Sequence, residues 1–265
     1  MEVGAIVWDV DPAIFQVAGR EIRWYGLLFA LAIYLGYRFF ERIFHEEKLP
    51  LSLLDRLALY LVIGIIVGAR LGHVLFYDWP YYREHPGEII KVWQGGLASH
   101  GGALGILLAL GIFVWRYRST YPRLSWIWLL DRLVIPTALG GALIRLGNLM
   151  NSEIIGKPTN VSWAFIFRRV DNIPRHPTQL YEALTYLVIF GILWWLYHRK
   201  GWGRVSGKML GSFLVMVFGA RFVIEFFKVP QEGFVHHLPI NMGQLLSIPF
   251  IFVGLYLWIR KLHSV

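Results

Sequence analysis

Seven stretches of the chain are apolar over a length that matters: 24–40, 57–77, 95–115, 126–148, 177–197, 209–227 and 241–259. They run from 17 to 23 residues. At 1.5 Å per residue that suits a hydrocarbon core of about 30 Å. The pattern therefore predicts an all-α integral membrane protein of seven transmembrane helices, with 1–265 as one polytopic membrane domain. The longest connection, 149–176, contains Ser162-Trp-Ala-Phe-Ile-Phe-Arg-Arg169, which mixes aromatic and polar residues. It reads as a short strand pair or a small head lying on the membrane surface. No internal repeat is visible, and an odd helix count argues against a simple two-half transporter. The first 23 residues include Glu2, Asp9, Asp11, Arg20, Glu21 and Arg23, so no basic start followed by an apolar core marks a leader peptide.

Composition agrees with the pattern. Charged residues make up 16% of the chain, against about 25% in an ordinary soluble domain. Mean hydropathy is +0.51. Disorder, a fibrous repeat and a soluble enzyme are excluded on these grounds. Cysteine is absent, which removes disulfides, thiolate metal sites and a cysteine nucleophile. The net charge of +9 could point to nucleic acid in a soluble protein. Here loops facing anionic lipid account for it, and no nucleic-acid partner is expected. Lys and Arg number 9 over the 81 residues of 1–23, 78–94, 149–176 and 228–240, but 12 over the 43 residues of the alternate connections. The denser side is expected in the cytoplasm, which places the N-terminus outside and the C-terminus inside.

The polar residues within the apolar stretches carry the chemistry. A charge at the centre of a spanning helix costs roughly 2.5–3.5 kcal/mol, so each needs a partner or a wet interior. Asp131 and Arg132 lie near one end of their stretch, where pairing or snorkelling explains them. Arg70 and His73 share a face and read equally as structural or functional. Tyr181 and Glu182 read as interhelical hydrogen-bonding residues as readily as site residues. Three clusters resist a purely structural explanation. In Gly95–Gly105, glycines surround His100, so a backbone or a ligand can approach closely. In Arg145–Gly156, Arg145 and Asn148 share a helix face, and Asn151 and Glu153 follow. Arg221 and Glu225 form an i,i+4 pair. With the helices alternating in direction, these clusters and Tyr25 gather toward the outer end of the bundle. Two arginines at headgroup depth suit an anionic phosphate, since a guanidinium offers two parallel hydrogen bonds. Neither a Ser-His-Asp arrangement, a His-Glu-x-x-His helix nor a P-loop is present.

At these residues the chain resembles the phosphatidylglycerol–prolipoprotein diacylglyceryl transferases. The resemblance is carried by Arg23-Trp-Tyr-Gly26, His100-Gly-Gly102, Arg145 through Gly156, His176-Pro-Thr-Gln-Leu-Tyr-Glu182 and Arg221-Phe-Val-Ile-Glu-Phe226. It departs from the family pattern at Ile144, where Gly is usual, at Leu149, where Phe is usual, and at Lys228, where Arg is common. The resemblance implies transfer of diacylglyceryl from phosphatidylglycerol, a co-substrate, to the lipobox cysteine thiol of a prolipoprotein signal peptide, releasing glycerol phosphate. It implies a multi-pass protein of the bacterial cytoplasmic (inner) membrane that needs no metal and no soluble cofactor. It makes His100, Arg145, Arg221 and Tyr25 the catalytic candidates. Arg145, Asn148, Asn151, Glu153, Arg221 and Glu225 are the lipid-binding candidates, with Glu225 orienting Arg221. His100 is the candidate base for the thiol, or an orienter of the substrate. An anionic-lipid transporter or scramblase is the alternative, since it too would need membrane-embedded arginines facing a groove.

Overall fold

The computed structural model describes residues 4–17, 19–199, 201–202, 206–229 and 240–260. Eight α-helices follow one another: α1 (Trp24–Glu46), α2 (Leu51–Phe76), α3 (Trp79–Glu84), α4 (Ser99–Tyr117), α5 (Trp126–Met150), α6 (Thr178–Arg199), α7 (Lys208–Ile224) and α8 (Met242–Ile259). Among the described residues six helices are long and apolar enough to cross a membrane: α2, α4, α5, α6, the α7 region through Phe227, and α8. The seventh expected stretch is helical as well, in α1, but Arg38, Glu41, Arg42 and Glu46 dilute its apolar character. The charge count above drew on Lys200, Arg204 and Lys261, which lie outside the described residues. Large apolar side chains such as Leu184, Val188 and Phe252 stand more than half exposed. That is the inverse of a water-soluble surface and what a lipid-facing one requires.

Local chemistry sets the helix ends. Pro50, extended at φ −71° and ψ 139°, precedes α2. Gly95 (φ 92°) and Gly96 (φ 69°) hold the chain in the left-handed region, so α4 begins at Ser99 rather than at the expected 95. Asn241 and Gln244 form a reciprocal capping box at the start of α8. Pro136 interrupts the α5 hydrogen-bond ladder, and next to it Thr137 Oγ1 donates to Leu133 O at 2.7 Å.

Five short strands accompany the helices: β1 (Ile6–Trp8), β2 (Ala13–Val17), β3 (Arg20–Arg23), β4 (Phe165–Phe167) and β5 (Pro174–Arg175). β2 and β3 form an antiparallel hairpin that runs straight into α1. The expected strand pair in 149–176 is β4 with β5, and β1 joins it in parallel, Ile6 opposite Phe165. Trp8 Nε1 donates to Leu149 O at 3.0 Å, over a small core of Leu149, Phe165 and Phe167.

The chain divides into two compact units, residues 1–39 with 130–265, and residues 40–129. In the second unit α2 and α4 cross at van der Waals distance on glycine. A Cβ at Gly64 would lie 2.6 Å from Gly105 O, and one at Gly72 would lie 2.7 Å from Gly101 Cα. In the first unit Arg132 is a charged neighbour of Asp131, as pairing requires, but Asp131 does not snorkel. It is buried and accepts from the backbone N–H groups of Gly207 (2.6 Å) and Leu210 (2.8 Å). α7 begins at a glycine with no side chain to satisfy its first N–H groups, and a carboxylate from α5 does so instead.

Candidate active site

Within the first unit the C-terminal ends of α5 and α7 meet the N-terminal ends of α1, α6 and α8, and their polar side chains converge. Glu182, on the second turn of α6, is fully buried. Lys228 Nζ donates to its Oε1 at 2.8 Å, and Arg145 Nε lies 3.0 Å from its Oε2. The Arg145 N–H is not aimed along that line, so Oε2 accepts no hydrogen bond. A buried carboxylate alone would be expensive; between two cations it is compensated. Arg145 NH1 then donates to Asn148 Oδ1 at 3.2 Å, and Asn148 Nδ2 to Glu153 Oε2 at 3.2 Å. Asn151 Nδ2 reaches the other Glu153 oxygen at 3.0 Å. Arg145, Asn148, Asn151 and Glu153 are thus one hydrogen-bonded strip, as their spacing predicts.

The turn after α5 is built to carry that strip. Ser152 (φ 54°) and Ile154 (φ 55°) both take the left-handed conformation, which turns Glu153 back toward Asn148. Gln179 Nε2 fixes the Glu153 carbonyl at 2.6 Å, and Thr178 Oγ1 fixes that of Ile154 at 3.0 Å. Gly156 packs so tightly on the His176 backbone that a Cβ there would overlap it. Tyr25, at the start of α1, lays its ring on Gly147, where a Cβ would fall 2.8 Å from Cδ2. This places Tyr25 beside the Arg145–Asn148 turn. Tyr186, one turn beyond Glu182, has Arg145, Arg221 and Glu182 as its charged neighbours.

Arg221 and Glu225 do not form the expected ion pair. The Glu225 carboxylate lies against Gly243 of α8, with Oε2 3.4 Å from Lys228 Nζ. Glu225 keeps its α-helical place, with φ −61°, ψ −23° and its N–H bonded to Arg221 O, but its carboxylate turns to Lys228 and α8 instead of to the Arg221 side chain. Arg221 Nε is buried and bonds to nothing among the described residues; Glu225 Oε2 and Asn151 Oδ1 are in the same condition. Buried polar atoms are ordinarily satisfied, so a concentration of unsatisfied ones marks where a polar ligand would bind.

Two residues of this cluster were not singled out by sequence, Gln179 and Tyr186, while Glu182 read equally as an interhelical hydrogen-bonding residue or a site residue. The available signal was the i, i+3, i+7 spacing of polar groups along the otherwise apolar start of α6. Lys228, left without a role, proves to be the second cation on Glu182. Next to the cluster, Trp163 Nε1 donates to Tyr181 OH at 2.8 Å, and that hydroxyl lies 3.0 Å from His176 Nδ1. Burial holds the His176 imidazole below its ordinary value, which favours the neutral ring.

His100 belongs to the second unit, where it stands exposed on the first turn of α4. The glycine after it serves packing: a Cβ on Gly101 would overlap the Gly68 carbonyl of α2. In the same unit Arg70 is buried, donating to the carbonyls of Glu88 (2.5 Å), Ile89 (2.7 Å), Gly95 (2.7 Å) and Gly96 (3.2 Å). Its guanidinium lies 4.9 Å from the centre of the Tyr82 ring. Arg70 is therefore a structural clamp on the loop before α4. Among the described residues no group of three or more His, Asp or Glu side chains is placed to hold a metal.

The chain is similar to known proteins over most of its length. A family model described as prolipoprotein diacylglyceryl transferase matches residues 12–260. A protein of Chloroherpeton thalassium named phosphatidylglycerol–prolipoprotein diacylglyceryl transferase is 51% identical over 95% of this chain and 92% of its own. Proteins of the same name from Tolumonas auensis and Porphyromonas gingivalis are 48% and 47% identical, covering 95% and 98% of this chain and 96% and 95% of their own.

Proposed function

The chain belongs to the prolipoprotein diacylglyceryl transferase family, and from that membership we propose how its residues carry out the reaction. The protein is a transferase that moves diacylglyceryl from phosphatidylglycerol to a prolipoprotein. The acceptor in this reading is the lipobox cysteine thiol of the signal peptide. Sulfur bonds to the glyceryl carbon that carries the phosphate, the carbon–oxygen bond to phosphate breaks, and glycerol phosphate leaves as the thiol gives up its proton. A lipid transporter has no support in the names of the relatives.

One observation carries the assignment of residues. Arg145 and Arg221 lie near the same buried tyrosine, and Arg221 Nε is buried without a hydrogen-bond partner among the described residues, as is the Glu182 oxygen that faces Arg145. Negative charge grows on the phosphate as it leaves, and two fixed guanidinium groups stabilise it without reorganising. Glu182, held by Lys228, compensates the Arg145 charge on its Nε side, and in this reading the other end of the guanidinium faces the phosphate. Asn148, Asn151, Glu153 and Glu225 surround the polar end of the lipid, and Tyr25 borders it. His100 is assigned from the resemblance to the thiol, as base or as orienter. The reading needs no metal or soluble cofactor.

In the same reading α1 is a seventh span, the N-terminus and the 149–176 head lie outside, and the membrane is the bacterial inner membrane. The charge count supports that orientation. The test is mass spectrometry of a lipobox peptide incubated with purified protein and phosphatidylglycerol. The expected result is a gain of one diacylglyceryl group on a peptide with cysteine and none on the serine version. An unmodified peptide in the presence of intact lipid and folded protein would overturn it.

A further inference from the structure

The α2–α4 pair of the second unit carries two adjoining cavities. One, of about 220 Å³, lies at the end of the pair remote from His100 and is lined by Ser52, Arg56, Arg116, Tyr117, Thr120 and Tyr121 among others. Arg56 NH1 donates to Tyr117 OH at 3.3 Å, with its guanidinium 5.7 Å from the centre of the Tyr117 ring; that of Arg116 is 5.4 Å from the same ring. Two guanidinium groups therefore flank one tyrosine, beside the hydroxyls of Ser52 and Thr120. Neither arginine pairs with a carboxylate among the described residues, and no acidic residue lines the cavity. Like charges placed this close repel, and an anion between them would relieve that repulsion.

The second cavity, of about 560 Å³, is a furrow along the same two helices, lined from Tyr60 and Ile112 to Phe76 and Gly101. Its floor is the glycine crossing at Gly64, Gly68 and Gly105, and its walls include Ile63, Leu104 and Leu108. Tyr60 of the furrow and Tyr117 of the pocket are neighbours, their ring centres 6.4 Å apart. Helical spacing puts the two cavities on the same stripes. Arg56 stands one turn before Tyr60 and Gly64 on the α2 stripe that floors the furrow. Arg116 stands one turn after Ile112 and Leu108 on the α4 stripe that walls it.

We propose that this face binds an anionic phospholipid, its phosphate between Arg56 and Arg116 and one acyl chain along the furrow. The shape matches the chemistry: a basic, hydroxyl-lined pocket lies at one end of a long apolar furrow along helices that cross a membrane. The 16 residues between His100 and Arg116 span about 24 Å of helix, so this lipid sits in the leaflet opposite His100. It is a bound lipid distinct from the one consumed, and the inference stands whether or not the transfer reaction is as described above.

The test is native mass spectrometry of the purified protein titrated with dioleoyl phosphatidylglycerol or dioleoyl phosphatidylcholine. The Arg56→Gln/Arg116→Gln protein is expected to lose one phosphatidylglycerol, with affinity at that site at least tenfold lower and transfer turnover within twofold of the parent. Arg118→Gln/Arg123→Gln removes the same charge from the same end, outside the cavity, and is expected to keep the lipid. Leu108→Gln, in the furrow wall, is expected to weaken dioleoyl binding while leaving the arginines intact. Inorganic phosphate and glycerol phosphate at the same concentration should not displace the lipid. Equal lipid retention by the Arg56/Arg116 variant, equal loss from the Arg118/Arg123 variant, unaltered binding to Leu108→Gln, or full displacement by inorganic phosphate would each overturn the proposal.

Discussion

Arg70 and Arg145 are both cations set into membrane-spanning helices, one in each unit, and the chain uses them in opposite ways. Arg70 gives its N–H groups to the carbonyls of Glu88, Ile89, Gly95 and Gly96, and has no carboxylate partner among these bonds. Its donors are spent on the shape of one loop. Arg145 faces a carboxylate oxygen that accepts no hydrogen bond among the described residues, and donates one hydrogen bond to a side-chain amide. The difference lies in saturation rather than burial. A guanidinium whose donors are filled by backbone holds structure; one that is charge-compensated yet incompletely bonded can take a ligand. A charge-compensated site can also receive an anion without first carrying a large unpaired positive charge through hydrocarbon.

Removing the compensation should break the contrast most severely. Glu182→Gln leaves Arg145 without its counter-ion and Lys228 with only Glu225 at 3.4 Å. A loss of about 3–5 kcal/mol in unfolding free energy is expected, measured by denaturation in detergent. Lys228→Met in the same protein should recover part of it, because the surplus cation goes with the acid. No recovery in the double variant would mean that Glu182 and Lys228 are not coupled.

Arg70→Gln should cost less, about 3 kcal/mol, since the freed carbonyls lie in a loop that can partly rewater. The loss should appear as faster hydrogen exchange over 85–98, with the polar cluster of the first unit undisturbed. Exchange that rises equally around Asn148 would contradict the division of roles.

A smaller effect is expected from pH in the head segment. The folded value of His176 lies below its ordinary 6.5, so the unfolded chain binds the proton more readily, and stability falls as pH drops below 6.5. Asp171 is held below its ordinary 3.8 by its hydrogen bonds to Arg175. The stabilisation it brings is complete above 3.8 and is lost as pH falls through the lowered value. Proteolysis of 156–176 against pH should therefore show two steps, the upper absent in His176→Asn and the lower absent in Asp171→Asn.

Helix positions were legible in the sequence because a spanning helix announces itself by apolar length alone; the expected 126–148 and 241–259 became Trp126–Met150 and Met242–Ile259. The Arg145–Glu153 strip was legible because all its partners lie within one turn and one loop. What was hidden depends on distant partners. Ile6–Trp8 is too short to read as a strand until Phe165 lies beside it. Glu182 reads equally as an interhelical hydrogen-bonding residue or a site residue until Lys228, 46 positions away, reaches it. Asp131 looks interfacial until α7 begins at Gly207 against it. Arg221 and Glu225 read as a pair by their helical spacing, which holds, until Lys228 and Gly243 draw the Glu225 carboxylate away. The glycines around His100 correctly signalled a close approach, but the neighbour that uses Gly101 is the backbone of α2.

The claim at the centre of this account is that Arg145 holds the lipid phosphate as it leaves. The most direct measurement is diacylglyceryl transfer by Arg145→Gln and Arg145→Lys in liposomes, beside thermal unfolding of the same preparations. Losing a charge contact that strengthens in the transition state costs about 2.7–4 kcal/mol, so Arg145→Gln should turn over 10²–10³-fold more slowly while remaining folded. Arg145→Lys, which keeps the charge without the fork, should be impaired to a lesser degree. A folded Arg145→Gln protein with near-parental turnover would contradict the assignment.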